Sequence, residues 1–197
     1  MLLLILTLLS LSPQQARQRP LGSTVVVDGF VTVPSGVFRS FRLDEGFVLG
    51  NDITGIYVAT QNRGYRSLGS ALEVRGQLAD DHGLLILRAT DIRPKKGRSL
   101  VRPRKIALAQ VDEAHEGQLV RLEGEVARAP VNDLPSGHKL VLKDPQGTVQ
   151  VFFPATVVPD LALLRPGQRV RVTGWCGQYD QTYEVVVRTA KDVKALP

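Results

Sequence analysis

Positively charged side chains are concentrated in one short segment of the chain. Residues 93–105 read RPKKGRSLVRPRK and contain seven lysines and arginines but no acidic residue. The chain as a whole has a net charge of +6, so everything outside this segment sums to −1. A basic cluster of this kind can neutralise phosphates and release their counterions, which gives salt-sensitive binding without sequence preference. The alternative is a solvated segment that has no specific partner. The candidate phosphate contacts in it are Lys95, Lys96, Arg98, Arg102, Arg104 and Lys105.

Cations and aromatic residues elsewhere could complete a nucleic-acid surface. An aromatic ring that stacks on an unpaired base contributes roughly 1–3 kcal/mol. In the alternating stretch from Arg169 onward, Val170 and Val172 point to one side while Arg169, Arg171 and Trp175 point to the other, which predicts an exposed Trp175. Core packing is the alternative role for each aromatic residue. The remaining candidates are Arg42, Tyr57, Arg63, Tyr65, Arg66, Lys139, Lys143 and Tyr179.

The sequence contains no residue pattern of a catalytic or metal centre. A Walker loop, a GxSxG elbow and an HExxH motif are all missing. The single cysteine, Cys176, excludes an intrachain disulfide and a cysteine-based zinc site. His82, His115 and His138 are far apart and lack ligand spacing. We therefore expect a protein that is not an enzyme and uses no cofactor or metal.

The candidate residues lie within a pattern of short strands that occurs twice. The composition, 43% hydrophobic and 22% charged, is that of a globular protein, and apolar residues alternate with a period of two. Residues 24–93 and 118–193 carry the same order of features. The predicted strands are 24–31, 38–45, 55–58, 69–76 and 84–88 in the first block, and 119–126, 138–145, 147–152, 167–174 and 183–188 in the second. An irregular stretch with room for a short helix follows the third strand, at 59–68 and at 154–164.

This order of elements resembles the OB-fold, a five-stranded Greek-key barrel that binds oligonucleotides and oligosaccharides. The chain is similar to a tandem OB-fold protein of bacterial type. The resemblance implies an all-β fold of two consecutive OB-type barrels, at 23–93 and 118–197, with a short helix in each and with ligands on the outer face of strands two and three. Residues 94–117 are expected to form a basic linker and lead-in. A single β-sandwich and a pair of SH3-like barrels are the alternatives.

Residues 1–22 are predicted to lie outside the fold. Met1 to Leu11 is almost wholly apolar, and Ser12 to Ala16 supplies a proline and a small residue, as in a signal peptide cleaved near Ala16. The run is too short to span a bilayer, which takes about 20 residues. An uncleaved lipid-embedded tail and a wrongly assigned start codon are the other interpretations. The protein is expected to be exported, periplasmic or extracellular, if the signal peptide is real, and cytoplasmic otherwise.

The barrels and the basic segment together favour a non-catalytic nucleic-acid-binding module. Single-stranded DNA or RNA is the expected partner, with little sequence specificity. The alternative is an exported protein-interaction or scaffold module that does not bind nucleic acid, because OB barrels serve many functions. A protein partner such as a nuclease fits either interpretation.

Overall fold

The chain folds almost entirely into β strands. A computed structural model describes residues 9–40, 44–62, 64–158, 160 and 164–197. Within this part, helix α1 (Pro13–Arg17) and short 3₁₀ turns are the helical elements. The strands are β1 (Ser10–Leu11), β2 (Thr24–Val33), β3 (Phe47–Gly50), β4 (Gly55–Ala59), β5 (Ser70–Asp81), β6 (Leu84–Arg98), β7 (Arg104–Lys105), β8 (Leu119–Asp133), β9 (Gly137–Asp144), β10 (Gly147–Pro154), β11 (Arg169–Tyr179), β12 (Thr182–Val187) and β13 (Val193–Ala195).

Each half of the chain closes into a barrel with the strand order of an OB-fold. In the first barrel the order is β2-β3-β4-β6-β5, and β5 pairs back to β2. In the second it is β8-β9-β10-β12-β11, and β11 pairs back to β8. The third and fifth strands of each barrel run parallel, β4 beside β6 and β10 beside β12. The prediction of an all-β protein with two consecutive five-stranded Greek-key barrels is confirmed.

Alternating apolar residues of the first strand fill each barrel. Val25 and Val27 of β2 are buried in the first core, and Val120 and Leu122 of β8 are buried in the second. Their neighbours along the strand point away from the core because successive side chains alternate across a strand. Each fully buried aliphatic side chain of this kind contributes roughly 1.5–3 kcal/mol.

The second strand of the first barrel lies later than predicted. β3 spans Phe47–Gly50, whereas the sequence predicts a strand over 38–45. The described residues of that stretch are irregular, and 41–43 lie outside the described part of the chain. The hydroxyl of Tyr57 donates to Asp44 Oδ1 at 2.5 Å, so the loop is attached to β4 by a side chain. The backbone N–H of Ser40 also donates to the Tyr57 hydroxyl at 3.2 Å, so this donor is used by a side chain and not by a neighbouring strand.

The short helix predicted over 59–68 is wrong for the residues that the structure describes there. The backbone N–H of Asn62 donates to Thr60 Oγ1 at 3.0 Å, and the N–H of Gly64 donates to Asn62 Oδ1 at 2.9 Å. Such local side-chain bonds compete with helical backbone bonds and favour a turn. The matching helix predicted over 154–164 falls partly on residues outside the described part.

The basic segment is more ordered than the predicted tether. Residues up to Arg98 belong to β6 and pair with β5, with Pro94 opposite Leu72 and Arg98 opposite Ser70. Arg104 begins β7, which pairs with β8 of the second barrel. The continuation of the period-two pattern past Arg93 explains the longer strand. Only residues 99–103 connect the two sheets.

Residues 10–22 of the N-terminal segment belong to the first barrel, in contrast to the prediction that they lie outside the fold. β1 pairs parallel with β2, with Ser10 opposite Val26. Ser12 caps helix α1 in a capping box with Gln15, and Ala16 is fully buried. None of the helices in the described residues is long and apolar enough to cross a membrane.

The two barrels pack against each other through equivalent faces. Each barrel contributes a row of side chains that lie side by side across neighbouring strands. Both rows belong to one buried apolar cluster. The first row is Val48, Tyr57 and Ile86 on β3, β4 and β6; the second is Phe152, Val186 and Trp175 on β10, β12 and β11. The third and fifth strands of both barrels take part, so the interface is close to isologous.

Aromatic rings form the centre of this interface. Trp175 stacks on Tyr57 with ring centroids 6.2 Å apart, and Phe38 meets Trp175 edge-on at 5.3 Å. The turns between the fourth and fifth strands also meet, since the N–H of Asp180 donates to the carbonyl of His82 at 2.6 Å. Both turn residues have positive φ, 51° and 57°. Equivalent elements of the two barrels therefore meet both at the apolar centre of the interface and at its polar edge.

We expect Trp175→Ala to lower the free energy of unfolding by about 3–5 kcal/mol, because the change empties the centre of the inter-barrel interface. Urea denaturation followed by far-ultraviolet circular dichroism measures this. Tyr65→Ala is the control, since Tyr65 is 71% exposed, and it should change the value by no more than about 0.5 kcal/mol. Equal effects of the two substitutions would contradict the burial of Trp175 between the barrels.

Candidate nucleic-acid interface

The ends of β5 and β6 and the loop before β5 form an open groove on the first barrel. The groove has a volume of about 320 Å³. Its floor is apolar, and its rim carries one aromatic ring and several cations. Four of the predicted site residues lie together here. The lining residues are Tyr65, Arg66, Ser70, Ala71, Leu72, Ile92, Pro94, Lys95, Gly97 and Arg98.

The loop side of the groove presents an aromatic ring and a cation. Tyr65 is 71% exposed, so one face of its ring is open to a flat ligand. Arg66 is attached at its backbone, where its N–H donates to Ser35 Oγ at 3.0 Å and its carbonyl accepts from Ser35 N–H at 3.2 Å. The loop therefore places Tyr65 at the groove by main-chain bonds and leaves its ring uncovered.

The strand side of the groove presents two cations that are held in place. Lys95 Nζ lies 2.6 Å from Asp28 Oδ2, and this hydrogen bond raises the pKa of Lys95. Arg98 donates from Nη2 to the carbonyl of Leu68 at 2.7 Å, so its guanidinium charge is positioned without being neutralised. An arginine held by a neutral acceptor keeps further N–H groups for a phosphate.

The rest of the basic segment continues from the groove toward the second barrel. Lys96, Arg102 and Arg104 are exposed, and no acidic side chain in the described part of the chain pairs with them. Lys105 lies 3.7 Å from Glu123 Oε2 in a solvent-exposed pair. The free charges of this segment are therefore concentrated between Lys96 and Arg104.

Cations predicted on the second barrel are neutralised by neighbouring carboxylates. Three of the four form ion pairs with acidic residues on adjacent strands or turns, and only Arg169 has no such pair among the described residues. Arg171 bonds to Glu123 at 2.8 Å and lowers the pKa of that carboxyl. The other two pairs are Lys139 with Asp133 at 3.0 Å and Lys143 with Glu125 at 2.9 Å.

The expectation that Trp175 is exposed is wrong, because the first barrel covers that end of β11. Trp175 is fully buried, and Tyr57 is 1% exposed in the same interface. Burial and the neighbouring Asp44 carboxylate raise the pKa of the Tyr57 hydroxyl. Neither ring can stack on a base while the barrels are packed. Tyr179 is 45% exposed and stacks on His82 at 5.2 Å.

The face that the OB resemblance implies for ligands is closed in the first barrel. Val48 on the second strand and Tyr57 on the third are buried against the second barrel. The groove lies instead at the fourth and fifth strands. The sequence pattern gave no indication of the groove, because its lining residues Leu72 and Ile92 belong to the core packing of the first barrel. Arg42 and Arg63 lie outside the described residues.

Beside the interface, the carboxyl group of Glu184 is buried in the second barrel. Glu184 on β12 is 6% exposed, and Gln150 Nε2 donates to its Oε2 at 2.6 Å. Burial raises the pKa of Glu184 to about 7, although the Gln150 bond and the Lys139 charge act in the opposite direction. In the residues that the structure describes, no group of three or more potential metal ligands comes together.

No protein-family model matches the chain, and no curated protein is similar in sequence. Solved structures with a similar chain path include fission yeast Pot1 with ssDNA (10% identity, 94% of this chain and 87% of that one, TM-score 0.46). A murine DNA-binding protein bound to double-stranded DNA is 9% identical over 88% of this chain and 97% of its own, with a TM-score of 0.42. The hypothetical protein ygiW from E. coli is 17% identical over 47% of this chain and 90% of its own, with a TM-score of 0.37. These scores are low, so the strand order alone is the basis for the OB assignment.

We expect the free energy of unfolding to fall as the pH rises from about 4.5 to about 7, because Glu184 holds its proton more tightly in the folded protein than in the unfolded chain. The stabilisation is complete below the ordinary pKa and is lost as the pH passes the raised one. Glu184→Gln should reduce this slope in denaturation curves recorded across the range. Some slope remains, since burial also raises the pKa of Glu116.

Asp52→Asn is the control for this experiment, because Asp52 is exposed. It should keep the pH dependence of the unsubstituted protein. An unchanged slope in Glu184→Gln would show that the Glu184 carboxyl titrates alike in both states.

Proposed function

We propose that the chain is a non-catalytic module that binds nucleic acid, favouring single strands with little sequence specificity. The observation that carries this proposal is the groove, where an aromatic ring that is 71% exposed lies beside Arg66, Lys95 and Arg98. An exposed aromatic ring flanked by cations is the combination that single-strand binders use.

The cations supply affinity and the ring supplies the preference for single strands. Arg66, Arg98 and the free charges from Lys96 to Arg104 would contact successive phosphates, a mode that carries no sequence information. The ring of Tyr65 can stack on a base only where that base is not already stacked within a duplex. The preference for single strands follows from this requirement.

A protein-interaction module is the second candidate function, and the hairpin of β8 and β9 favours it. These strands stay paired as far as Asp133 and Gly137 at the tip of the hairpin. Near the tip, Val131 is 50% exposed and Leu134 is 62% exposed. Exposed apolar side chains of this size suit the surface of a protein partner. Export and a nuclease partner also remain predictions.

We expect the triple variant Arg66→Glu, Lys96→Glu and Arg98→Glu to lose most of its affinity for a labelled single-stranded oligonucleotide, because phosphates would meet negative charges. Fluorescence anisotropy at two salt concentrations measures the effect. Loss of three phosphate contacts should make the plot of log K against log salt shallower by about 2.

The matched control for that experiment is Lys139→Glu, Lys143→Glu and Arg169→Glu, which changes the net charge equally on the second barrel. It should retain most of the affinity, because two of its cations are already paired with carboxylates. Equal losses in the two triple variants would place the site elsewhere. If the unsubstituted protein binds no oligonucleotide at low salt, the nucleic-acid proposal fails and the protein-interaction candidate takes its place.

We expect Tyr65→Ala to weaken single-strand binding by roughly 5- to 150-fold, the equivalent of about 1–3 kcal/mol for one stacked base. The same anisotropy assay measures it. Tyr179→Ala is the comparison, since Tyr179 lies outside the groove and stacks on His82. Stacking on Tyr65 is excluded if both variants bind like the unsubstituted protein.

A further inference from the structure

The structural repeat begins earlier in the chain than β2. β1 pairs parallel with β2, and β7 pairs parallel with β8 at the equivalent place in the second barrel. Each short strand is followed by one helical turn that begins with the same contact. The N–H of Ser12 donates to Gln15 Oε1 at 2.9 Å, and the N–H of Ala107 donates to Gln110 Oε1 at 2.9 Å.

The two lead-in segments, residues 10–23 and 105–118, match without insertion or deletion. Gly22 and Gly117 end them with φ of 84° and 78°. The N–H of Gly22 donates to the carbonyl of Leu78, and that of Gly117 to the carbonyl of Cys176, both at 2.8 Å. The N-terminal segment is therefore the first repeat's copy of an element that the second repeat also contains.

The N-terminal lead-in has a core-packing role in the first barrel. Pro13 and Ala16 are its buried residues, and Ala16 is fully inaccessible. Leu11 packs against the core cluster of the first barrel, and Ile106 packs in the second at the matching position. Each lead-in therefore contributes an apolar side chain to its own barrel, and removal of either would expose core residues to water.

Arg17 also connects this segment to the second barrel. Its Nη1 lies 2.9 Å from Oε1 of Glu116, a carboxylate that is 1% exposed and belongs to the second lead-in. The same Oε1 accepts from the N–H of Leu85 at 3.2 Å. Nearby, Asn51 Nδ2 donates to Gln14 Oε1 at 2.7 Å. Loss of Arg17 leaves a buried carboxylate without its cation, which is strongly destabilising.

We propose that residues 10–22 are a permanent part of the folded protein, and that the bond after Ala16 is not a processing site. Cleavage there would detach β1 and most of α1 while the equivalent element of the second repeat stays in place. Any proteolytic removal of the apolar N-terminus falls before Ser10. This inference is independent of the nucleic-acid proposal.

Intact-mass measurement and amino-terminal sequencing of the full chain, expressed in a bacterial host and recovered from the cytoplasmic and exported fractions, test the position of any cut. The expected amino terminus of the folded, purified protein is Ser10 or an earlier residue in either fraction. A folded exported product that begins at Arg17 would overturn the proposal.

A second measurement tests the structural role without reference to processing. Arg17→Ala in the full chain should lower the midpoint of urea denaturation, and Arg17→Ala with Glu116→Gln should recover part of the loss, because the buried charge is then gone. Arg19→Ala is the matched control, since Arg19 is exposed and has no acidic partner among the described residues. The proposal fails if Arg17→Ala and Arg19→Ala have the same midpoint.

Discussion

The packing of the two barrels through equivalent faces determines which surfaces the protein can use. Trp175 and Tyr57 stack at the centre of that interface, with Phe38 against the edge of the pair. Aromatic pairs of this geometry contribute about 0.5–1.5 kcal/mol beyond the area they bury. The face of the first barrel that is buried against the second includes its second and third strands. The usual ligand surface of an OB-fold is therefore closed there. What remains open is the basic groove at the fourth and fifth strands.

The two barrels differ in how many of their candidate cations are paired with carboxylates, and the net charge of the chain does not show this difference. The second barrel carries four of the candidate cations, but three of them, Lys139, Lys143 and Arg171, bond to carboxylates. Exposed pairs of this kind add little stability. They do, however, cancel the attraction for a polyanion. In the first barrel Arg98 is held by a carbonyl, and Arg102 and Arg104 after it have no acidic partner in the described part of the chain. Among the candidate cations of the described residues, those without a carboxylate partner therefore lie mainly in the groove and the segment that follows it.

The period-two pattern predicted both barrels because strand alternation is a local property, as Val25 and Val27 illustrate. It could not predict the burial of Trp175, because an outward-facing side chain on a strand is exposed only if no other element packs against it. The second strand of the first barrel was misplaced because the aliphatic and aromatic residues around Phe38 serve an interface loop. The apolar N-terminus matched a signal peptide by composition, although the constant spacing of the two lead-ins, from Ser10 and Lys105 onward, was already present in the sequence. Tyr65, Arg66, Lys95 and Arg98 were found among the candidates, but their common groove depends on the length of β6.

The chain contains a single tryptophan, so Trp175 reports directly on the inter-barrel interface. The most direct test is the fluorescence of Trp175 in the folded protein, with its quenching by iodide measured with and without a single-stranded oligonucleotide. We expect blue-shifted emission that iodide barely quenches and that the oligonucleotide leaves unchanged, because the ring is sealed between the barrels. Red-shifted emission that iodide or the oligonucleotide quenches strongly would contradict the packing. It would indicate that the ligand binds the face that contains Trp175, which the packed barrels bury.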